Sequence, residues 1–436
     1  MHTLLLAPVG KGKSLDTPIA FAWWPRPTQW DPIRIVERAC RSIPACRPEL
    51  DFVALPDVPG VRDMVGESAT TIRPWQVLWY TPRLHDIHAP LHALDDILAQ
   101  LRQRMVPACP VGVYVSFIDQ SIRDRIVRAG FDVVGDADAH PVVGSLTCAK
   151  AWLHPTLVVD ARGDVAIGAN PAARAIEASG CRIPAGYVCA SVADRVEAHR
   201  RVTTAHARAV MKPVHGMGCQ GLVLHARSQD ITSEDVDCSV IVEAFIPSRY
   251  DSPAVYMCGD TVLAIVDQII VDGRNTGNAY PSIQTVDVQE RMLNACRSIH
   301  ATLGVHGQWG ADFVIDADRV PVIVDLNMGR PLGSLGYLMW RSMQPEPRIV
   351  SSTTRLRMLV CERMPPVDQT LRELKASLRA EGLLWSCPEG VVVVQHIPGH
   401  WSAILCASWQ GREALRALYA RLRAVDHAST YRTIFA

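Results

Sequence analysis

An excess charge of either sign is missing from this 436-residue sequence, in which 44 Lys and Arg face 44 Asp and Glu. That balance excludes a basic nucleic-acid surface and an acidic, solvated tail, and it leaves a small molecule or peptide as the default partner. Cys-x-x-Cys pairs are also absent. The thirteen cysteines are scattered and odd in number, which fits reduced core residues in a cytosol better than a disulfide framework. No apolar run reaches the roughly 18–20 residues that a membrane helix needs. In Met1–Ser14 the short apolar stretch precedes the lysines, the reverse of a signal peptide. The expectation is a cytoplasmic chain with neither a membrane nor a nucleic-acid partner. Internal repeats and low-complexity linkers are lacking too. Lysine is scarce: Lys11, Lys13, Lys150, Lys212 and Lys375 are the five among 44 basic residues. Arginine replaces a lysine point charge poorly against a phosphate oxygen in a tight pocket, so the lysine positions carry information.

What is present is ample core material. A hydrophobic share of 48% and a length of 436 residues provide for two to four domains. Residues 1–135 alternate strand-like and helix-like runs. Strands are expected at Asp51–Leu55, Gln76–Tyr80, Val111–Ile118 and Phe131–Val134, with helices at Leu91–Met105 and Ser121–Ala129, an α/β order. Trp23–Pro27 reads as an aromatic loop packed on the sheet. Residues 136–345 mix helices near 144–153, 171–180 and 191–202 with strands at Ala207–Met211, Leu222–His225, Ser239–Phe245, Ala254–Met257 and Val262–Val271. A long helix over Asp287–Leu303 follows, then strands at Ala311–Ile315 and Val320–Asp325. Residues 346–436 read as a small α+β domain, with helices Gln369–Ala380 and Glu413–Ala424 and strands Gly390–His396 and Ser402–Ala407.

Three segments carry chemistry. In Met211–Gly221 a strand ends in Lys212 and opens into a loop with Gly216, Gly218 and Gly221. An ammonium can meet a phosphate there, and glycines let backbone N–H groups approach its oxygens. The lysine precedes the glycines, so this is no Walker loop, and read alone it is equally a glycine-rich hairpin. In the second segment Asp312 lies on one strand, the turn Asp316–Arg319 reverses the chain, and Asp325 and Asn327 end the next strand. Residues two apart on a strand share a face, so a hairpin gathers two carboxylates and an amide oxygen, hard ligands suited to Mg²⁺ shared with phosphates. The alternative is a solvated polar face, against which the apolar flanks argue burial. In the third segment, Val240–Pro247, a strand ends in Glu243 and an apolar stretch, which can hinge around a purine but is also ordinary strand sequence.

Taken together and in this order, the segments resemble the ATP-grasp superfamily over 136–345. An aspartate thirteen residues before a second acid, with an asparagine two further on, is similar to the magnesium pattern of D-alanine:D-alanine ligases. The family also expects an earlier lysine, and Lys150 fits. The resemblance implies an ATP-grasp fold with an N-terminal α/β pre-ATP-grasp domain (1–135), an ATP-grasp domain of two lobes with a hinge near 240–250 (136–345), and a small C-terminal α+β domain (346–436). It implies ATP and Mg²⁺ as cofactors. Lys150 and Lys212 would hold the α- and β-phosphates, and Glu243 would meet the adenine amino group. The Ala244, Phe245 and Ile246 backbone would read the ring, and Asp251 would be nearest the ribose. Asp312, Asp325 and Asn327 would ligate the metal. Arg330 would stabilise the transferred phosphoryl group and the tetrahedral intermediate, and Gly333–Gly336 would cradle the acyl substrate. Arg274 and Asn278 are placed at the phosphates or substrate. The departure is Asp325, where the family usually has glutamate. The layout is similar to pheganomycin-type peptide ligases of bacterial natural-product pathways. The implied activity is carboxylate–amine ligation through an acyl-phosphate, releasing ADP and phosphate. Its substrates would be an amino acid or small carboxylic acid and an amine or peptide, with a homodimer left open. The alternatives are an ATP-grasp kinase and a non-catalytic nucleotide-binding regulator.

Overall fold

The structure, a computed structural model, describes residues 19–22, 52–57, 61–62, 74–80, 89–104, 112–115, 120–134, 149–170, 172–214, 221–224, 226–227, 231, 239–248, 252–271, 274–280, 282–305, 308–328, 356–364, 371–384, 390–397 and 400–408. The chain divides into two compact units, one of residues 1–136, 276–281 and 332–436, the other of 137–275 and 282–331.

The first unit opens with β1 (Ile19–Ala22), β2 (Phe52–Pro56), β3 (Val77–Tyr80), β4 (Gly112–Val115) and β5 (Asp132–Val134). They form an all-parallel sheet of order β3-β2-β1-β4-β5. Parallel strands are buried on both faces and read as near-continuous apolar runs, as Phe52–Leu55 does. α1 (Ala89–Arg104) buries Leu94, Ile97, Leu98 and Leu101, one helical stripe, and α2 (Gln120–Arg128) buries Ile122 and Ile126 in the same core.

In the second unit come α3 (Ala149–Trp152), the hairpin β6 (Leu157–Val159) and β7 (Val165–Ile167), α4 (Ala173–Glu177), β8 (Gly186–Cys189), α5 (Val192–Ala205), β9 (Ala209–Pro213) and β10 (Val240–Ala244). β8, β10 and β9 form an antiparallel sheet in that order. α5 starts in a capping box, in which Ser191 Oγ accepts from Asp194 N at 3.1 Å and Asp194 Oδ2 accepts from Ser191 N at 2.8 Å. The other Asp194 oxygen accepts from Val159 N at 2.7 Å, which ties the hairpin to the helix start. A larger antiparallel sheet follows from β11 (Ser252–Cys258) and β12 (Thr261–Val271). After β13 (Arg274–Tyr280), which belongs to the first unit from Thr276 on, come α6 (Val286–Leu303), β14 (Gln308–Ile315) and β15 (Pro321–Met328). Within this unit the order is β15-β14-β11-β12. α6 presents Val288, Met292, Ala295, Cys296, Ile299 and Leu303 to the inner faces of β11, β14 and β15, and Gly304 ends it in the left-handed conformation at φ 59°.

The first unit is completed by β16 (Leu356–Met364), α7 (Leu371–Ala380), β17 (Gly390–Ile397) and β18 (His400–Ser408), with β13, β16, β18 and β17 antiparallel in that order. Among the described residues no helix is long and apolar enough to cross a membrane. Leu222–His225 is not a strand: in the described part only Val223 bridges to Met211. Gly221 turns the chain at φ 73°, and Leu224 points outward with no core to face. The expected helix Glu413–Ala424 and the loop Trp23–Pro27 lie outside the described residues.

Candidate functional site: a carboxylate pair and two lysines

The β14–β15 hairpin is set by its turn. Asp316 Oδ1 accepts from Asp318 N at 2.9 Å and Val320 N at 2.8 Å, and Arg319 takes the left-handed φ of 60°. In the resulting register Asp312 lies opposite Asp325 and Gly310 opposite Asn327, while Phe313 pairs with Ile323. Val324 is therefore an extra residue, a bulge. It lets Ile323 and Leu326, three apart, both enter the core beside Phe313, while Asp325 and Asn327 share the opposite face with Asp312. Asn327 Nδ2 donates to Asp312 Oδ2 at 2.9 Å, and Gln268 Nε2 from β12 donates to Asp312 Oδ1 at 3.0 Å. Lys150 Nζ, from α3, lies 3.1 Å from Asp325 Oδ2. Asp325 Oδ1 is buried and has no hydrogen-bond partner among the described residues.

This face is strained electrostatically. Burial and the neighbouring Asp325 charge push the Asp312 carboxyl up to about 7, against the pull of the Asn327 and Gln268 amides and Lys150. Two carboxylates crowded together with one oxygen orphaned are a donor set that a divalent cation fits. Asn327, with its amide nitrogen turned to Asp312, keeps its oxygen for ligation. Among the described residues no group of three or more His, Cys, Asp and Glu forms a metal cluster. The set is thus two carboxylates and an amide, all hard oxygen donors.

A second cluster lies on the small sheet. Lys212, 8% exposed on β9, donates to Glu243 Oε1 at 2.7 Å and to the Val324 carbonyl at 2.6 Å. Lys212 pairs with Ile241 across the strands, so Glu243 is its diagonal neighbour on the same face. The Val324 carbonyl it reaches belongs to the bulge residue. His154, two residues past the end of α3 and 2% exposed, sets Nε2 2.9 Å from Glu243 Oε2. The contact is close but poorly aligned for a directed hydrogen bond, so its attraction is electrostatic. Burial alone would raise the Glu243 carboxyl, but Lys212 and His154 outweigh it and hold it down at about 2. Burial pushes the His154 imidazole below the ordinary histidine range, and Glu243 pulls the other way. Gly186 on β8 lies directly opposite Glu243, and a Cβ there would stand 2.6 Å from the Glu243 Cβ. The glycine makes room for the carboxylate's strand.

The fold engages the hinge differently from expectation. Both Glu243 oxygens face His154 and Lys212, so its carboxylate is a buried counter-charge rather than a group turned to a ligand's amino edge. Ala244 N donates to Ala185 O at 2.8 Å and Phe245 N to Arg208 O at 3.0 Å, so neither backbone donor is open to a base. Ile246 follows them directly and has no such bond among the described residues. Gly221 holds its positive φ against Pro213. Gly216, Gly218, Asp251, Arg330 and Gly333–Gly336 lie outside the described residues, and of Arg274 only the backbone is described. Asn278 is buried on β13, in the first unit. Sequence reasoning missed His154, Gln268, Gly186 and the Val324 carbonyl. Two signals were available: His154 stands four residues after Lys150, and Asp267-Gln268 interrupts an otherwise apolar strand.

One antiparallel sheet bears a buried lysine and the other a carboxylate pair. Residues 172–334 match the model of the ATP-grasp domain family. No curated protein matches it by sequence. Among solved structures it is similar to N5-carboxyaminoimidazole synthetase from Staphylococcus aureus, with 10% identity, 93% of this chain and 97% of the other covered, and a TM-score of 0.52. It is also similar to a biotin carboxylase–ATP-analogue complex from Campylobacter jejuni, with 10% identity, 92% and 89% covered, and a TM-score of 0.54. A third is the biotin carboxylase domain of 2-oxoglutarate carboxylase from Hydrogenobacter thermophilus, a dimer in complex with MgADP and bicarbonate, with 11% identity, 90% and 86% covered, and a TM-score of 0.52. At these identities the likeness establishes the ATP-grasp fold.

Proposed function

We propose that this protein is a cytosolic ATP- and Mg²⁺-dependent carboxylate–amine ligase, forming an amide of the kind made by pheganomycin-type peptide ligases. One observation carries the reading: Asp312, Asp325 and Asn327 share a face with Lys150, and an orphaned carboxylate oxygen stands among them. Those three side chains would hold Mg²⁺, which when bound neutralises phosphate oxygens. Lys150 and Lys212 take the α- and β-phosphates, and Lys212 has a third N–H beyond its two protein acceptors. The Ile246 N–H reads the adenine edge. The glycine loop through Gly216, Gly218 and Gly221 covers the phosphates, Asp251 meets the ribose, and Arg330 meets the transferred phosphoryl group. The domain boundaries 1–135, 136–345 and 346–436 belong to the same proposal.

In the reaction an acid's carboxylate oxygen attacks the γ-phosphorus and expels ADP. The amine nitrogen of the second substrate then attacks the acyl carbon, loses a proton and expels phosphate. Both substrates are held together, so effective concentration supplies much of the rate, and exclusion of water protects the acyl-phosphate. The acid panel for a test includes bicarbonate, which one structural relative holds, together with amino acids and short peptides. ADP release requiring both an acid and an amine, with a new amide seen by mass, supports the reading. A phosphorylated product without an amide, or ADP release that survives Asp312→Ala, contradicts it.

A further inference from the structure

The segment matched to the ATP-grasp family begins at residue 172, yet a buried side chain well before it completes the lysine site. His154 is as deeply buried as the core around it, and its Nε2 faces the one Glu243 oxygen that Lys212 leaves open. Among the described residues its other nitrogen has no hydrogen-bond partner. A buried ring that is merely filling space costs less if it is apolar.

Consider what the Glu243 contact constrains. Lysine is a flexible point charge, and a buried ammonium goes where its acceptors are. Lys212 has two: a Glu243 oxygen, and the Val324 carbonyl next to Asp325. With one carboxylate oxygen drawn to His154 Nε2 at 2.9 Å, the other is restrained as well, because a carboxylate is a rigid plane. His154 also follows directly on α3, whose Lys150 is paired with Asp325. Glu243 therefore stands between Lys212 and the segment that carries Lys150.

We infer that His154 is a positioning residue for nucleotide binding, holding Glu243, and through it the Lys212 ammonium, in place beside Asp325. This rests on the reading above that Lys212 meets nucleotide phosphates. The test is the affinity for Mg-ATP, measured by calorimetry on the full chain, with thermal melting as a control for folding. His154→Phe keeps the ring's size and removes its polar atoms. It is expected to weaken Mg-ATP by about tenfold, the scale seen when a supporting partner of a binding group is lost. His154→Gln, whose amide nitrogen can stand where Nε2 stands, is expected to restore most of that loss. Combined with Lys212→Gln, His154→Phe is expected to add nothing, because it acts through the side chain already changed.

Wild-type affinity in His154→Phe, a Gln variant as weak as the Phe variant, or losses that multiply in the double variant would each overturn the assignment of His154 alone. A wild-type protein that does not bind Mg-ATP would overturn both this inference and the ligase reading.

Discussion

Glu243 is fully buried in an antiparallel sheet, and its charge is tolerated because Lys212 and His154 close on it from two sides. Its pH behaviour follows. In the unfolded chain the carboxyl takes up a proton near its ordinary 4.5, while the folded protein withholds one down to about 2. The stability contributed by the charged form is thus complete above about pH 4.5 and is lost as pH falls towards 2. Replacing Glu243 with Gln leaves Lys212 buried without its counter-charge, so the variant is less stable than wild type at pH 7. Denaturation by urea at several pH values is predicted to show that gap narrowing below about pH 4.5, and a gap constant from pH 7 to pH 3 would contradict the assignment. At this scale the sequence was readable where a residue type was rare or a spacing distinctive: Lys150, Lys212, and the Asp312, Asp325 and Asn327 set. The partners of those residues were not. Gln268 and Asp312 are 44 positions apart and meet only through sheet order, and His154 reaches a strand about ninety residues downstream. Side-chain type says little about such encounters.

Among the elements, the β14–β15 hairpin decides the site. Apolar runs located both strands around the turn Asp316–Arg319, and period-two reasoning set Asp325 and Asn327 on one face. The bulge at Val324 was hidden. Apolar residues run unbroken through Val322, Ile323 and Val324, so no pattern marks which of them is the extra one. Yet the bulge frees the carbonyl that Lys212 takes. The opposite error occurred at Leu222–His225, where in the described part Val223 alone packs on the core and bridges to Met211 while Leu224 is exposed. Because the register rests on Asp316, Asp316→Ala removes two acceptor contacts to turn N–H groups and a 2.9 Å ion pair to Arg182. The expected cost is about 1–3 kcal/mol in chemical denaturation, accompanied by weaker Mg-ATP binding, since the Asp312–Asp325 pairing lies on the same ladder. A variant destabilised to that extent but with wild-type nucleotide affinity would show that the turn does not govern the site.

For the whole molecule, chain order was informative for the parallel α/β sheet early and for the two antiparallel sheets that follow, with a long helix between the strands of the larger one, although each unit gathers more than one stretch of chain. The return of late strands to the first unit was not readable, since β13 is a polar stretch, Arg274–Tyr280, that pairs with a strand beginning at Leu356. Polar strands of that kind lack the alternation by which strands are found. The account as a whole depends on the cation-binding role proposed for the Asp312–Asp325–Asn327 face of the second unit. The most direct measurement is a calorimetric titration of ATP into wild type and Asp325→Ala, each with Mg²⁺ and with EDTA. The account predicts binding by wild type that strengthens at least about tenfold with Mg²⁺, and an Asp325→Ala protein, folded by its melting curve, in which that magnesium dependence is gone. Equal affinity with and without Mg²⁺ in wild type, or an unchanged magnesium effect in the variant, would contradict it.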